Sequence, residues 1–228
     1  DLTAAEKRYV DKWYRNMAKP ILSPQVVDQH HPFPHLPSGQ LHILVRLSFE
    51  DRNLLGLLPV PASLPPYLVL PDDGLRYILT EDILIGKVST LFTGFRVQSK
   101  AVIKVTRNAD ISPDDEAFDV DGDFRQRMKK LLKKRTRLAP VRLEYCGKLP
   151  NHVLHHLCVR LGLDLDQIYQ SEAPMNMGYI YSLESLLPPA HGLKYEPWTP
   201  QPCSMLTENA SVLPQVQLHD VLLHYPYE

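Results

Sequence analysis

The chain is expected to fold as an α+β protein in which an antiparallel sheet meander packs with helices. Three observations predict this class. A capped pattern of 3.6-residue period opens the chain, and apolar and polar residues alternate over 41–49. Two turn signals, at 50–53 and 71–74, then join short apolar runs, as in successive hairpins.

Taken in order, Thr3-Ala-Ala-Glu6 has the form of a capping box. Val10, Trp13, Tyr14 and Met17 follow at helical spacing, so a helix with one apolar face runs to Pro20. The chain is then extended. In 41–49, Leu41, Ile43, Val45, Leu47 and Phe49 face one way and His42, Arg46 and Ser48 the other, which describes a half-buried strand. The turn at 50–53 leads into LLGLLPV, and Pro71-Asp-Asp-Gly74 joins YLVL to LRYIL. Thr80 is positioned to cap a short helix with Leu84, Val88, Leu91 and Phe92 inward, and FRVQSKAVIKVTR supplies one or two more strands. Ser112-Pro113 opens a helical segment, acidic and then basic, ending near Arg137. VRLEYC is a strand, and a helix capped by Asn151 turns Leu154, Leu157, Cys158 and Leu161 to one side. Beyond Asp166 the periodicity weakens into short helices and proline-bracketed loops, with a last amphipathic stretch over 218–223.

A length of 228 residues, 44% of them hydrophobic, allows a substantial core in one compact domain or two small ones. The net charge of −1 gives no global pull towards nucleic acid or an anionic membrane, so an anion site must be local. Cys146, Cys158 and Cys203 are far apart and odd in number, which fits buried thiols in a reducing compartment better than a zinc cluster or a disulfide scaffold. No apolar run is long enough to span a bilayer, which takes about 20 residues. The 21 prolines cluster at 59–71 and 188–214, where extended loops are expected. Asp1 at the start and an aromatic and proline phrase at the end suggest a piece of a longer protein.

Four constellations could carry chemistry. His152, His155 and His156 have the i, i+3, i+4 spacing of metal ligands on a helix, but nothing nearby completes a coordination shell and a solvated face explains them. Asp119, Asp121 and Asp123 alternate like the start of a calcium loop, yet the glycine is misplaced and Lys130 falls at the closing position. The run RQRMKKLLKKRTR crowds Arg125, Arg127, Lys129, Lys130, Lys133, Lys134, Arg135 and Arg137 on one helical segment. Such charges repel one another unless a polyanion meets them, so these eight residues are candidates for guiding one. In DQHHPFP, each proline fixes its own backbone and holds the residue before it extended, so His31, Pro32, Phe33 and Pro34 read as a rigid corner with Phe33 buried. A histidine aimed into a neighbouring site is the other reading. No Walker loop, GxSxG, GxGxxG or HExxH motif occurs, and no catalytic, cofactor-binding or metal-binding residue is assigned.

Four islands together resemble the bacterial polyphosphate kinases: ILSPQVVDQHHPFP (21–34), KVTRNADISPDDE (104–116), PVRLEY (140–145) and HDVLLHYPYE (219–228). They stand in the order and spacing of that family's middle, or head, domain. The resemblance implies an α+β domain similar to the Phox fold, over 21–228, with residues 1–20 a helix leading in from a missing N-terminal domain. It implies a cytoplasmic parent enzyme, a homodimer, that transfers the terminal phosphate of ATP to inorganic polyphosphate through a phosphohistidine. ATP and magnesium would act there in two phospholipase-D-like domains absent from this chain. The motif around the family's nucleophilic histidine is missing, so the chain alone is expected to be inactive and to need no cofactor. Its expected work is structural: supporting a nucleotide tunnel and contributing to dimerisation, with its own missing domains and polyphosphate as partners and neither nucleic acid nor a membrane span. The alternative is a Phox-like binding module for a phosphorylated lipid or polyanion.

Overall fold

The computed structural model describes residues 2–28, 31, 33–50, 52–71, 75–108, 125, 129, 138–187, 195, 199–207 and 209–224. The chain divides into two units, Asp1–Leu186 and Leu187–Glu228.

In the first unit, α1 (Ala4–Trp13) continues through a π-helical turn (Tyr14–Ala18) and a 3₁₀ turn (Lys19–Ile21). Its capping box forms as the sequence dictates: the Glu6 carboxylate accepts the Thr3 N–H at 2.6 Å and the Thr3 hydroxyl accepts the Glu6 N–H at 3.3 Å. Glu6 is buried, and Arg76 pairs with it at 2.6 Å. Val10 and Tyr14 face inward as expected. Met17, however, is exposed and Ala18 takes its place, because the π-helical turn widens the repeat and rotates the buried stripe by one residue.

The strands are β1 (Gln25–Val27), β2 (Leu41–Phe49), β3 (Arg52–Pro59), β4 (Tyr67–Val69), β5 (Tyr77–Leu79), β6 (Arg96–Arg107), β7 (Pro140–Gly147) and β8 (Ile168–Gln170). Six of them form one sheet in the order β1-β3-β2-β6-β7-β8, antiparallel except for the parallel β7–β8 pair. The α+β class and both expected hairpins, β2–β3 and β4–β5, are observed, but the hairpins do not share one sheet: β4–β5 stands apart, and the second neighbour of β2 is β6, which follows the intervening helix. That helix, α2 (Thr80–Lys87), is capped by Leu79 and not by Thr80, whose hydroxyl instead donates to the Pro65 carbonyl. FRVQSKAVIKVTR forms the single strand β6.

Both faces of the sheet are covered. On one, Ile43, Val45, Leu47 and Leu58 pack with Val10, Tyr14 and Ala18 of the first helix and with Leu84, Val88 and Phe92. On the other, Leu44, Leu55, Leu57, Ile103 and Leu143 meet Leu36 and Val153, Leu157 and Leu161 of α3 (Asn151–Leu161). Burying each such side chain contributes about 1.5–3 kcal/mol. The central strand β2 is therefore not half-buried: Leu44 and even His42 are inaccessible, while Phe49 at its end is exposed. Pro150, not Asn151, is the N-cap of α3, and Gly162, at φ 67°, closes it in the left-handed conformation glycine adopts without strain. Cys158 is buried, whereas Cys146 and Cys203 are half-buried. A three-ring cluster of Tyr67, Tyr77 and Tyr179 ties α4 (Tyr179–Glu184) to the β4–β5 hairpin.

In the second unit, α5 (Val212–Leu218) is anchored by Gln215, which accepts the Thr207 N–H at 2.7 Å and donates to the Ser211 carbonyl at 3.1 Å. The helix stops where the amphipathic stretch 218–223 was expected, and Leu218, Leu222 and Leu223 are exposed. Among the described residues no helix is long and apolar enough to cross a membrane.

Candidate functional site

The DQHHPFP segment leaves the edge strand β1 and turns back on itself. The Asp28 carboxylate accepts the His31 N–H at 2.7 Å and lies 3.0 Å from its Nδ1, while the Asp28 N–H donates to the His31 carbonyl at 3.0 Å. These bonds make it a pinned corner, with His31 held towards its own carboxylate partner. Phe33 is only half-buried, which corrects the expectation of a buried ring, and Pro34 is half-buried as well. The residue driven into the core is Leu36, 1% exposed. Pro32 lies outside the described residues.

Arg107, at the end of β6, fixes this corner to the sheet. Its Nε donates to the Leu36 carbonyl at 2.8 Å, its Nη1 to the Leu138 carbonyl at 2.7 Å, and its own N–H to the Ser38 hydroxyl at 3.1 Å. The adjacent Asn108 N–H donates to the Ala139 carbonyl at 2.9 Å. Burial lowers the Arg107 pKa, yet a guanidinium remains charged. The arginine of VTRNAD thus joins the loop following HPFP to the approach to PVRLEY, so three segments remote in sequence form one connected structure.

Beside the corner, the β2–β3 hairpin and α3 wall a groove of about 850 Å³. Its floor is apolar, with Val27, Leu55 and Val153. Its sides carry Arg46 and Arg52 from the hairpin and His152, His156 and Arg160 from the helix, with Asp28 at one end. The three helical residues recur every fourth position and so form a row with a step of about 6 Å. Arg46 donates to the Asn53 side chain at 3.0 Å, and its Nε is buried with no hydrogen-bond partner. Arg160 reaches the His156 Nε2 at 3.5 Å. Burial, and then the Arg160 charge, push the His156 pKa below its ordinary value, so at neutral pH its Nε2 can accept that bond. A second hollow of about 750 Å³ shares Asp28 and Arg52 and is lined by His31, Phe49 and Phe95.

Arg46, Arg52 and Arg160 make no ion pair with a carboxylate among the described residues, whereas Arg76, Lys87, Lys104 and Arg142 each do. Lys104 meets Glu144 at 3.0 Å, and Arg142 meets Glu144 at 3.3 Å while lying 4.3 Å above the Tyr169 ring. Such a groove can hold an anion by charge and by directed N–H donors.

Sequence reasoning missed this site because its arginines come from three elements, with 113 positions between Arg46 and Arg160. The one available signal was Leu44 two positions before Arg46 on the same face of β2, an apolar residue on the side read as polar. Of the expected histidine trio, His152 and His156 enter the groove and His155 is exposed outside it. In the basic run, Arg125 and Lys129 are helical and exposed. Arg127, Lys130, Lys133, Lys134, Arg135 and Arg137 lie outside the described residues, as do Asp119, Asp121 and Asp123.

Residues 5–183 match the family described as the polyphosphate kinase middle domain. Over 100% of its length the chain is 32% identical to the polyphosphate kinase of Bacillus cereus, of which it covers 34%. It is 30% identical, over 97% of its length, to the polyphosphate kinase of Pseudomonas aeruginosa, covering 33% of that protein. The crystal structure of polyphosphate kinase from Porphyromonas gingivalis superposes on 100% of this chain with a TM-score of 0.69 at 24% identity, and the match takes in 32% of that chain. The chain therefore spans about a third of the length of the relatives it matches.

Proposed function

Because this chain belongs to the polyphosphate kinase family and matches its middle domain, we propose that it is the head of a larger phosphotransferase, supporting the domains in which phosphate moves. The observation that carries this reading is the match over 5–183 to a middle domain, within relatives about three times as long. In the parent, a histidine nitrogen outside this chain attacks the γ-phosphorus of ATP and ADP leaves with the bonding electron pair. The terminal oxygen of polyphosphate then attacks the phosphohistidine, the P–N bond breaks, and the polymer is one unit longer. Both steps run in reverse.

This chain's own contribution is positional. A sheet covered on both faces, with its long loop fixed by Arg107, is a stiff body against which a nucleotide tunnel and a second subunit can be held in register. ATP and magnesium, like the nucleophilic histidine, belong in this reading to the domains outside this chain. We place the parent in the cytoplasm, in keeping with three free thiols. The Phox-like lipid-binding alternative has no support in the relatives, which are named polyphosphate kinases.

The test is synthesis of polyphosphate from ATP by the polypeptide that carries this chain, compared with the 228-residue chain alone. The longer polypeptide is expected to make a polymer that an exopolyphosphatase degrades, and the chain alone to make none. Absence of synthesis by the longer polypeptide, or synthesis by the chain alone, would overturn the reading.

A further inference from the structure

We propose that the groove walled by Arg46, Arg52 and Arg160 binds the phosphate chain of inorganic polyphosphate, giving the middle domain a polymer site of its own. The choice of polyphosphate rests on the family reading above; the choice of groove rests on geometry.

Charge comes first. The chain as a whole has a net charge of −1, yet this groove gathers three guanidinium groups. Among the described residues Asp28 is the one carboxylate in its lining, and it is already engaged by His31. Arg46 is held in the wall by its Nη2 bond to the Asn53 side chain, which fixes the guanidinium beside the groove. Shape is the second argument. His152, His156 and Arg160 form a row about 12 Å long along α3, opposite Arg46 and Arg52 on the hairpin. Two facing rows of donors suit an extended anion better than a single phosphate. The third argument is the character of the apolar lining: among the described residues it is aliphatic, Val27, Leu54, Leu55 and Val153, with no phenyl, phenol or indole face offered to a nucleotide base. Phe49 and Phe95 lie in the neighbouring hollow, with their ring centroids 5.5 Å apart.

The test is titration of the 228-residue chain with tripolyphosphate, long-chain polyphosphate and ATP at several salt concentrations, for the wild type, R52Q/R160Q and a control K7Q/K12Q on the exposed side of α1. Circular dichroism and Tm check that each variant is folded. The expected result is polyphosphate binding that weakens about tenfold or more in R52Q/R160Q, with Tm unchanged. The slope of log affinity against log salt should also fall by about 1.4, as for two lost contacts to a single-stranded phosphate polymer. K7Q/K12Q should bind like the wild type, and ATP no more tightly than tripolyphosphate. Three results would each overturn the proposal: equal binding by R52Q/R160Q and wild type, equal weakening by both double variants, or ATP binding more than tenfold tighter than tripolyphosphate. If R52Q/R160Q does not fold, R52K/R160K, which keeps the charge but not the bidentate fork, replaces it, with a smaller loss expected and no loss contradicting the site. Polyphosphate synthesis by the longer polypeptide is measured in parallel, so that an active enzyme with a non-binding groove sinks this inference alone, and an inactive enzyme sinks the family-based function alone.

Discussion

Arg107 donates from Nε to the Leu36 carbonyl at 2.8 Å, so the last residue of β6 holds the loop that follows the HPFP corner. The same guanidinium reaches Leu138 ahead of β7. Replacing Arg107 by methionine leaves two carbonyls without their donor and should cost about 1–3 kcal/mol of stability. Lysine, a single-point donor, should recover only part of that loss. Urea denaturation of the three proteins checks the order; equal stability of wild type and Arg107→Met would mean that solvent satisfies both carbonyls.

The corner itself should show where its apolar anchor lies. Leu36→Ala removes a buried side chain and should cost about 2–5 kcal/mol. Phe33→Ala, at a half-buried position, should cost less despite the larger ring. Thermal unfolding of both variants measures this, and a larger loss at Phe33 would reverse the assignment.

The sequence misplaced this anchor for a physical reason. Local rules see that Phe33 stands between two prolines and is held extended, but depth below a sheet depends on what packs there from elsewhere. Leu36 is buried because Leu44, Ile103 and α3 surround that sheet face. The same limit applies to β2, where alternation located the strand but could not show that both faces are covered. The capping box at Thr3 and Glu6, by contrast, is formed within four residues and was legible. The groove was not, since Arg46, Arg52 and Arg160 meet only after the hairpin and α3 have packed on one another.

Gly56 in β3 lets Phe92 lie against the sheet. A Cβ there would come within 2.5 Å of Val45 Cγ2 and 2.7 Å of the Phe92 ring. Gly56→Ala should therefore destabilise by about 1–3 kcal/mol, the usual cost of overpacking. Phe92→Leu introduced in the Gly56→Ala background should cost less than the same change in the wild type. Strict additivity of the two in a double-mutant cycle would show that the contact does not matter.

His42 should make stability depend on pH. It is buried in β2, with Nδ1 3.1 Å from the Gln40 carbonyl, and burial lowers its pKa more strongly than that hydrogen bond raises it. The unfolded chain therefore binds a proton more readily than the folded one. The contribution is full above the ordinary value of about 6.5 and is lost as pH falls through it. Burial raises the Glu81 and Asp82 pKa values, which acts in the opposite sense, so the comparison must be with a variant in which both still titrate. His42→Gln should have a shallower fall in Tm between pH 7.5 and about 5.5 than the wild type; identical slopes would remove His42 as the cause.

The proposed role of this chain as a supporting domain without its own nucleophile is tested most directly by mapping which histidine, if any, takes phosphate from ATP. The polypeptide that carries the chain is incubated with ATP and magnesium, digested under alkaline conditions that preserve phosphoramidates, and mapped by mass spectrometry. The phosphate is expected on a histidine outside residues 1–228, with all ten histidines of this chain unmodified. Phosphate on any of those ten, whether His31 at the corner or His152 in the groove, would contradict it.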